Sequence, residues 1–67
     1  MDPIKIGAKL TTLRGNKTQS TVAEAVGISI QALSNYETGS RIPRDEVKIA
    51  LSKYYNTSIQ ELFYFDV

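Results

Sequence analysis

The sequence predicts an all-α protein, a compact bundle of five helices. Apolar residues recur three and four positions apart along most of the chain, which is the period of a helix with one buried face. Signals that start helices also alternate with signals that stop them, about one helix length apart. The chain has 67 residues, which predicts one small domain spanning residues 1–67. The starts are Asp2-Pro3, Thr18, Ser29, Pro43 and Ser58, and the stops are Gly15-Asn16, Gly27, Gly39 and Asn56.

Helix 1 is predicted to begin at Asp2-Pro3, with Asp as the N-cap and Pro at the first helical position. Ile6, Leu10 and Leu13 follow at i, i+4 and i+7 and are expected to face the core. The helix is expected to end near Arg14, because the Gly-Asn pair after it favours a turn.

Residues 18–37 predict two helices joined by a tight turn. Gly27 suits a left-handed stop, and Ser29 suits the N-cap of the second helix. Two helices that lock together across such a bend form a helix-turn-helix, whose second helix can lie in the major groove of DNA. The apolar residues expected to lock them are Val22, Ala23, Val26, Ile28, Leu33 and Tyr36.

Helix 4 is predicted from about Arg44 to Tyr55, with two acidic residues in its first turn, where the helix dipole favours them. Ser58 and Glu61 have the spacing of a capping box, in which Glu reaches back to the backbone amide of the Ser. Helix 5 is therefore expected to be short, over about 58–64. The stripe of helix 4 expected to face inward is Val47, Leu51, Tyr54 and Tyr55, with Ala50 at its edge.

The second helix of the helix-turn-helix leaves a polar, uncharged face pointing outward. Amide side chains can pair with adenine through two hydrogen bonds, Ser can donate or accept, and an aliphatic side chain can contact a thymine methyl group. The predicted base contacts are therefore Ile30, Gln31, Ser34 and Asn35.

An ordered set of residues over roughly 4–63 resembles the xenobiotic-response-element family of bacterial and phage regulators, which includes the Cro and CI repressors. The resemblance implies a lambda-repressor-like fold with the helix-turn-helix as helices 2 and 3. The matching residues are Thr18-Gln19, Val22-Ala23, Val26-Gly27-Ile28-Ser29, Leu33-Ser34-Asn35-Tyr36-Glu37, Gly39, Pro43, Lys53-Tyr54-Tyr55-Asn56-Thr57-Ser58 and Glu61-Leu62-Phe63.

The resemblance also implies roles for residues around the reading helix. Gln19 is expected at the DNA backbone with Lys17 beside it, and the loop after helix 3 is expected to lie along the phosphates. An alternative for Arg44 is an ion pair with the acids of its own helix. The resemblance further implies a structural pair between Arg14 and Glu37. The predicted backbone contacts are Lys17, Gln19, Ser29, Arg41 and Arg44.

Composition narrows the function classes. The chain has no His and no Cys, so it lacks the commonest general base, the commonest zinc ligand and any disulfide. With no phosphate loop either, an enzyme is not expected, nor is a cofactor, a metal or a small-molecule domain. There is no signal peptide and no long apolar run, so the expected location is the bacterial cytoplasm, without membrane contact. The net charge of +1 divides into +3 over residues 1–44 and −2 over residues 45–67.

The end of the chain is unusually apolar and predicts a contact with a second copy. Exposed aromatic patches mark interfaces, and Ile49 points away from the inward stripe of helix 4. The alternative is that the aromatic side chains of residues 63–67 fold back onto their own domain. The predicted dimer surface is Ile49, Phe63, Tyr64 and Phe65.

The sequence thus predicts a transcriptional regulator, most simply a repressor, that binds a palindromic double-stranded DNA operator as a homodimer. The sequence also leaves open a regulatory protein as a further partner. An antitoxin or restriction-control protein of the same fold remains an alternative, as does a protein-interaction module that binds no DNA. Salt-dependent DNA binding separates the last of these from the others.

Overall fold

The computed structural model describes residues 1–65, and within that range every regular element is an α-helix, as the sequence predicts. The first four helices end at the glycine and asparagine residues where the sequence predicts turns. The predicted helix starts and stops are each correct to within about two residues. The five helices are α1 Pro3–Arg14, α2 Gln19–Val26, α3 Ile30–Thr38, α4 Asp45–Tyr55 and α5 Ile59–Phe63.

Four of the helices begin at a side chain that accepts a backbone N–H of the first turn. Asp2, Thr18, Ser29 and Ser58 play this part for α1, α2, α3 and α5. The N-cap of α4 is Arg44, whose side chain makes no capping hydrogen bond. Each capping hydrogen bond satisfies a donor that the helix itself leaves unpaired, so these residues fix where the helices start.

The capping box of α5 differs from the expectation. Ser58 Oγ accepts the Glu61 N–H at 3.0 Å, as predicted. The Glu61 carboxylate, however, accepts from the Ser58 hydroxyl at 3.1 Å instead of reaching the backbone amide of that residue. The reciprocal half of the box therefore closes side chain to side chain.

The core has two parts that meet beneath the helix-turn-helix. The smaller part lies between α2 and α3 and consists of Val22, Ala23 and Leu33. Ile28 and Tyr55 pack against both parts and join them. The larger part holds α1, α4 and α5 together and consists of Ile6, Leu10, Val47, Leu51, Leu62 and Phe63.

The backbones of α1 and α3 come close together at Gly7. A Cβ atom on Gly7 would overlap the carbonyl oxygen of Glu37 and would lie 2.8 Å from that of Tyr36. Only a residue without a side chain fits between the two helices. This contact fixes α3 against α1 and leaves the opposite side of α3 free.

One core prediction needs correction, and one burial was not predicted. Leu13 was expected in the inward stripe of α1, but it lies in the last turn of that helix, at the edge of the core, and is 38% exposed. Lys48 is buried at 7% exposure although it is charged, because aromatic residues of the C-terminal segment cover its side chain. Within residues 1–65, no helix is long and apolar enough to cross a membrane.

Candidate nucleic-acid interface

The outward face of α3 is set by what its inward face contacts. Leu33 is fully buried between α2 and α3, and the last turn of α3 lies on Gly7 of α1. Ile30 is consequently 51% exposed. Gln31 is exposed as well, while Ser34 and Asn35 are half-buried at the edge of the face.

The two amide side chains of this face are hydrogen-bonded to each other. Gln31 Nε2 donates to Asn35 Oδ1 over 3.1 Å, one helical turn apart. The bond restricts the Gln31 side chain before any ligand arrives. It leaves the Gln31 carbonyl as an acceptor and the Asn35 amide group as a donor, and this combination complements the N6 and N7 edge of adenine.

The loop after α3 is tied to the reading helix through the carbonyl oxygen of Asn35. This oxygen accepts the N–H of Ser40 at 2.9 Å and the N–H of Arg41 at 3.2 Å. The Thr38 hydroxyl donates to the same oxygen at 3.3 Å. Arg41 therefore begins at a fixed point beside the C-terminus of α3.

Arg41 and Arg44 lie with the turn of the helix-turn-helix around a polar cleft of about 360 Å³. Ser29, at the start of α3, forms part of the same wall. Helix N-termini and guanidinium groups both favour anions, so the cleft has the electrostatics of a phosphate site. The sequence alternative for Arg44 is present in weak form, since its Nε lies 3.9 Å from Glu46 with both side chains more than three-quarters exposed.

Arg14 and Glu37 form a partly buried ion pair that joins α1 to α3. Arg14 Nε lies 2.7 Å from Glu37 Oε2, and Arg14 Nη2 donates to Oε1 at 3.1 Å. The side chains are 19% and 4% exposed. Hydrogen bonding to Glu37 raises the pKa of Arg14 above its usual value. Arg14 Nη1 also donates to the Lys17 carbonyl oxygen at 2.7 Å, so the pair fixes the start of α2 as well.

Gln19 belongs to this network, which the sequence did not reveal. Its Nε2 donates to Glu37 Oε1 at 2.9 Å, and the residue is half-buried at the first position of α2. The side chain expected at the DNA backbone is thus held by a carboxylate within the protein. The neighbouring Lys17 is exposed, with its Nζ 4.9 Å from the ring centroid of Tyr54.

The residues expected at a dimer surface have different environments. Phe63 is completely buried in the core, so its assignment to that surface is wrong: the helical phase of α5 turns it inward beside Leu62. Ile49 is 44% exposed. Tyr64 and Phe65 are half-buried and pack against the larger core cluster. The rest of the predicted tail, residues 66–67, lies outside the described residues.

Several features of the site had weak signals in the sequence. A glycine inside a helical pattern, such as Gly7, indicates close packing, although it does not say against what. Nothing in the spacing of Gln19 and Glu37 indicated that they meet. Within the part of the chain that the structure describes, no group of three or more acidic, His or Cys residues could hold a metal ion.

Comparison with known proteins gives one result that bears on this surface. The family model described as helix-turn-helix matches residues 12–62, which contain α2, α3 and α4 entire and most of α5. No significant match was found among curated proteins or among solved structures. The matched range covers most of the chain and includes both the reading helix and the loop that carries Arg41. The chain therefore belongs to the helix-turn-helix family of DNA-binding regulators of the xenobiotic-response-element, or Cro/CI, type.

Proposed function

We propose that the protein is a sequence-specific repressor that binds a palindromic DNA operator as a homodimer, with α3 in the major groove. The observation that carries this proposal is the uncharged polar face of α3, bordered by cationic side chains from two other segments. Lys17 precedes α2, and Arg41 and Arg44 follow α3. Such a surface can hold phosphates at its edges while it reads bases at its centre.

Base reading falls to Ile30, Gln31, Ser34 and Asn35. The hydrogen bond between the two amides presents one acceptor and one donor together, which suits adenine. The aliphatic side chain of Ile30 is more than half exposed and can contact a thymine methyl group. A site rich in A·T pairs is the expected preference.

Backbone contacts fall to Lys17, Arg41 and Arg44, with Ser29 at the N-terminus of α3. Gln19 contributes its backbone N–H at the start of α2 and the side-chain amide atoms that are not bonded to Glu37. No acidic residue occupies the first turn of α2 or of α3, so the positive ends of both helix dipoles are open to phosphate.

A homodimer is proposed because one short helix reads only a few base pairs. The described chain measures 31 × 22 × 22 Å. Two copies of this size can lie side by side on DNA, where a palindromic site requires their reading helices to be about one DNA turn, roughly 34 Å, apart. The contact is assigned to Ile49 of α4 with Tyr64 beside it, since Tyr64 is hydrogen-bonded to Lys48, the neighbour of Ile49.

Repression follows when the dimer occupies the operator. A dimer across an operator covers DNA that polymerase needs, and this requires no surface other than those just described. The antitoxin and restriction-control alternatives use the same DNA-binding surface, so they differ in the partner or the regulated gene and not in the chemistry of α3.

The test is a selection of bound duplexes from a random DNA pool at two salt concentrations. The expected result is a palindrome with half-sites about one turn apart and an affinity that falls steeply as salt rises. A single unrepeated half-site would remove the dimer from the proposal. No enrichment at either salt would favour a protein-interaction module that binds no DNA.

A further inference from the structure

A second surface lies on the side of α1 that faces away from α3. Gly7 contacts α3, whereas Ala8 and Thr12 point to the other side and line a groove between α1 and α5. The groove has a volume of about 470 Å³. Its wall on the far side comes from Leu62 and Phe65. None of the residues assigned to DNA lines this groove.

The rim of the groove is cationic. Lys5 and Lys9 lie on it, and α1 itself contains no acidic residue. Glu61 is the one carboxylate lining the groove within residues 1–65, and it accepts from the Ser58 hydroxyl at the start of α5. Lys9 Nζ donates to the Glu61 carbonyl oxygen at 2.7 Å and lies 4.2 Å from the Phe65 ring centroid. Within the same range Lys5 forms no salt bridge.

We propose that this groove docks an acidic amphipathic helix of a different protein. From Lys5 to Leu13 the groove follows α1 for about 12 Å, or roughly two helical turns. A partner helix that spans two turns can place apolar side chains at i, i+3 or i+4, and i+7 in the groove. This is the pattern by which a helix fills an apolar groove. Carboxylates beside these anchors would meet the two lysines on the rim.

A second copy of the chain fits the groove less well than an acidic partner. Two copies joined through this face would bring the lysine pairs of both α1 helices together. Like charges across an interface disfavour association. The homodimer proposed above instead uses Ile49 and Tyr64, which do not line the groove, whereas Phe65, predicted for the dimer surface, does line it.

The first experiment compares three helical peptides of about 16 residues, long enough to hold helical structure. All carry the same stripe of leucines, and their flanking positions are all Glu, all Gln or all Lys. Binding to the full chain is measured by fluorescence anisotropy. The Glu peptide should bind about threefold to tenfold more tightly than the Gln peptide, and the Lys peptide should bind most weakly. The differences should shrink as salt rises.

Variants then locate the site. Ala8→Glu places a charge on the groove wall and should weaken the Glu peptide more than tenfold. Glu is a good helix former at this exposed position, and circular dichroism checks that the fold is kept. Lys5→Glu should reduce the preference for the Glu peptide over the Lys peptide. Ala25→Glu makes the same change at an exposed position of α2 outside the groove and should leave peptide binding unchanged.

Several outcomes would overturn the proposal. Equal binding of the three peptides would remove the acidic partner. Equal loss in Ala8→Glu and Ala25→Glu would place the peptide elsewhere. Loss of self-association in Ala8→Glu alone, seen by sedimentation equilibrium, would show that a second copy covers the groove. Competition by anionic lipid vesicles or by duplex DNA would assign the lysines to those polyanions instead. None of these results depends on operator binding, so the two proposals fail separately.

Discussion

The helix-turn-helix end and the C-terminal end of the molecule each enclose a cationic side chain, but they surround it with different groups. Arg14 meets a carboxylate through two contacts of 2.7 and 3.1 Å, and the carboxylate also accepts from Gln19. Lys48 donates to the Tyr64 hydroxyl at 3.0 Å, while the closest carboxylate within residues 1–65, that of Asp45, is 3.8 Å away and almost fully exposed.

The geometry of the two cations explains the difference. A guanidinium is a planar fork that can bind a carboxylate through two atoms while donating to a third group, so Arg14 fixes three segments relative to one another. An ammonium is a compact charge on a flexible stem. Lys48 covers aromatic surface, with its Nζ 5.1 Å from the Tyr64 ring centroid and 5.9 Å from that of Phe63. Arg14 thus fixes the positions of three segments relative to one another, whereas Lys48 covers aromatic side chains at the C-terminal end of the core.

The largest effect should come from Glu37→Gln, which leaves the partly buried Arg14 guanidinium without its counter-charge. The free energy of unfolding should fall by about 3 kcal/mol. This is the low end of the range for buried pairs, because the Arg14 side chain keeps 19% exposure. Urea denaturation followed by circular dichroism measures it. The double variant Arg14→Met with Glu37→Leu removes both charges and should lose less stability than Glu37→Gln alone; a greater loss would contradict the counter-charge explanation.

Gln31→Ala should act on DNA binding and leave stability alone, because Gln31 is exposed and its partner Asn35 is at the edge of the same face. Affinity for the selected operator should fall by about 1–3 kcal/mol, and the preference at one base position should relax. Lys17→Ala is the matched comparison. It should weaken binding to all sequences alike and lower the salt slope by about one. Equal weakening on every sequence by Gln31→Ala would remove Gln31 from the base contacts.

Lys48→Met tests the other end of the molecule. Met keeps the length of the side chain and removes the need to bury a charge, so stability should stay within about 1 kcal/mol of the parent or rise. Thermal unfolding of both proteins at one pH gives the comparison. A loss as large as that of Glu37→Gln would mean that the ammonium, and not only its stem, holds the C-terminal segment.

At both ends, the sequence predicted local features better than contacts between distant segments. Helix boundaries were predictable because caps and stops are local: Thr18, Ser29, Gly27, Gly39 and Asn56 act within a few residues of themselves. The outward face of α3 followed from its helical phase. Contacts between distant segments were not predicted from local signals, because such signals do not show which residues meet.

Tertiary contacts explain the errors. Phe63 and Tyr64 are neighbours, yet one is fully buried and the other only partly, because the end of α5 decides which ring turns inward. The burial of Lys48 had no local signal, since nothing near it in the sequence shows that two aromatic rings will cover its stem. The Gln19–Glu37 bond likewise joins residues 18 positions apart.

Tyr55 lies where the two ends meet, and it gives the smallest expected effect at neutral pH. It packs against both parts of the core, and within residues 1–65 its buried hydroxyl has no hydrogen-bond partner. Tyr55→Phe removes that unsatisfied group and keeps the ring. The variant should therefore be as stable as the parent, or more stable by up to about 1 kcal/mol. A clear loss of stability would show that the hydroxyl is paired in solution.

The unfolding free energies of the parent and of Tyr55→Phe should differ more at alkaline pH. Burial, and to a lesser degree the nearby Glu37 carboxylate, raises the pKa of Tyr55 to about 12, from 10 for an ordinary tyrosine. Below pH 10 the hydroxyl is neutral in both folded and unfolded chains, so its contribution is constant. As pH rises from 10 to 12 the unfolded chain releases this proton and the folded chain keeps it, so stability falls. Tyr55→Phe lacks this proton, and its unfolding free energy should decline less steeply than that of the parent over the same pH range. Parallel declines in denaturation series would mean that Tyr55 titrates equally in both states, and that its hydroxyl is not shielded where the two ends of the molecule join.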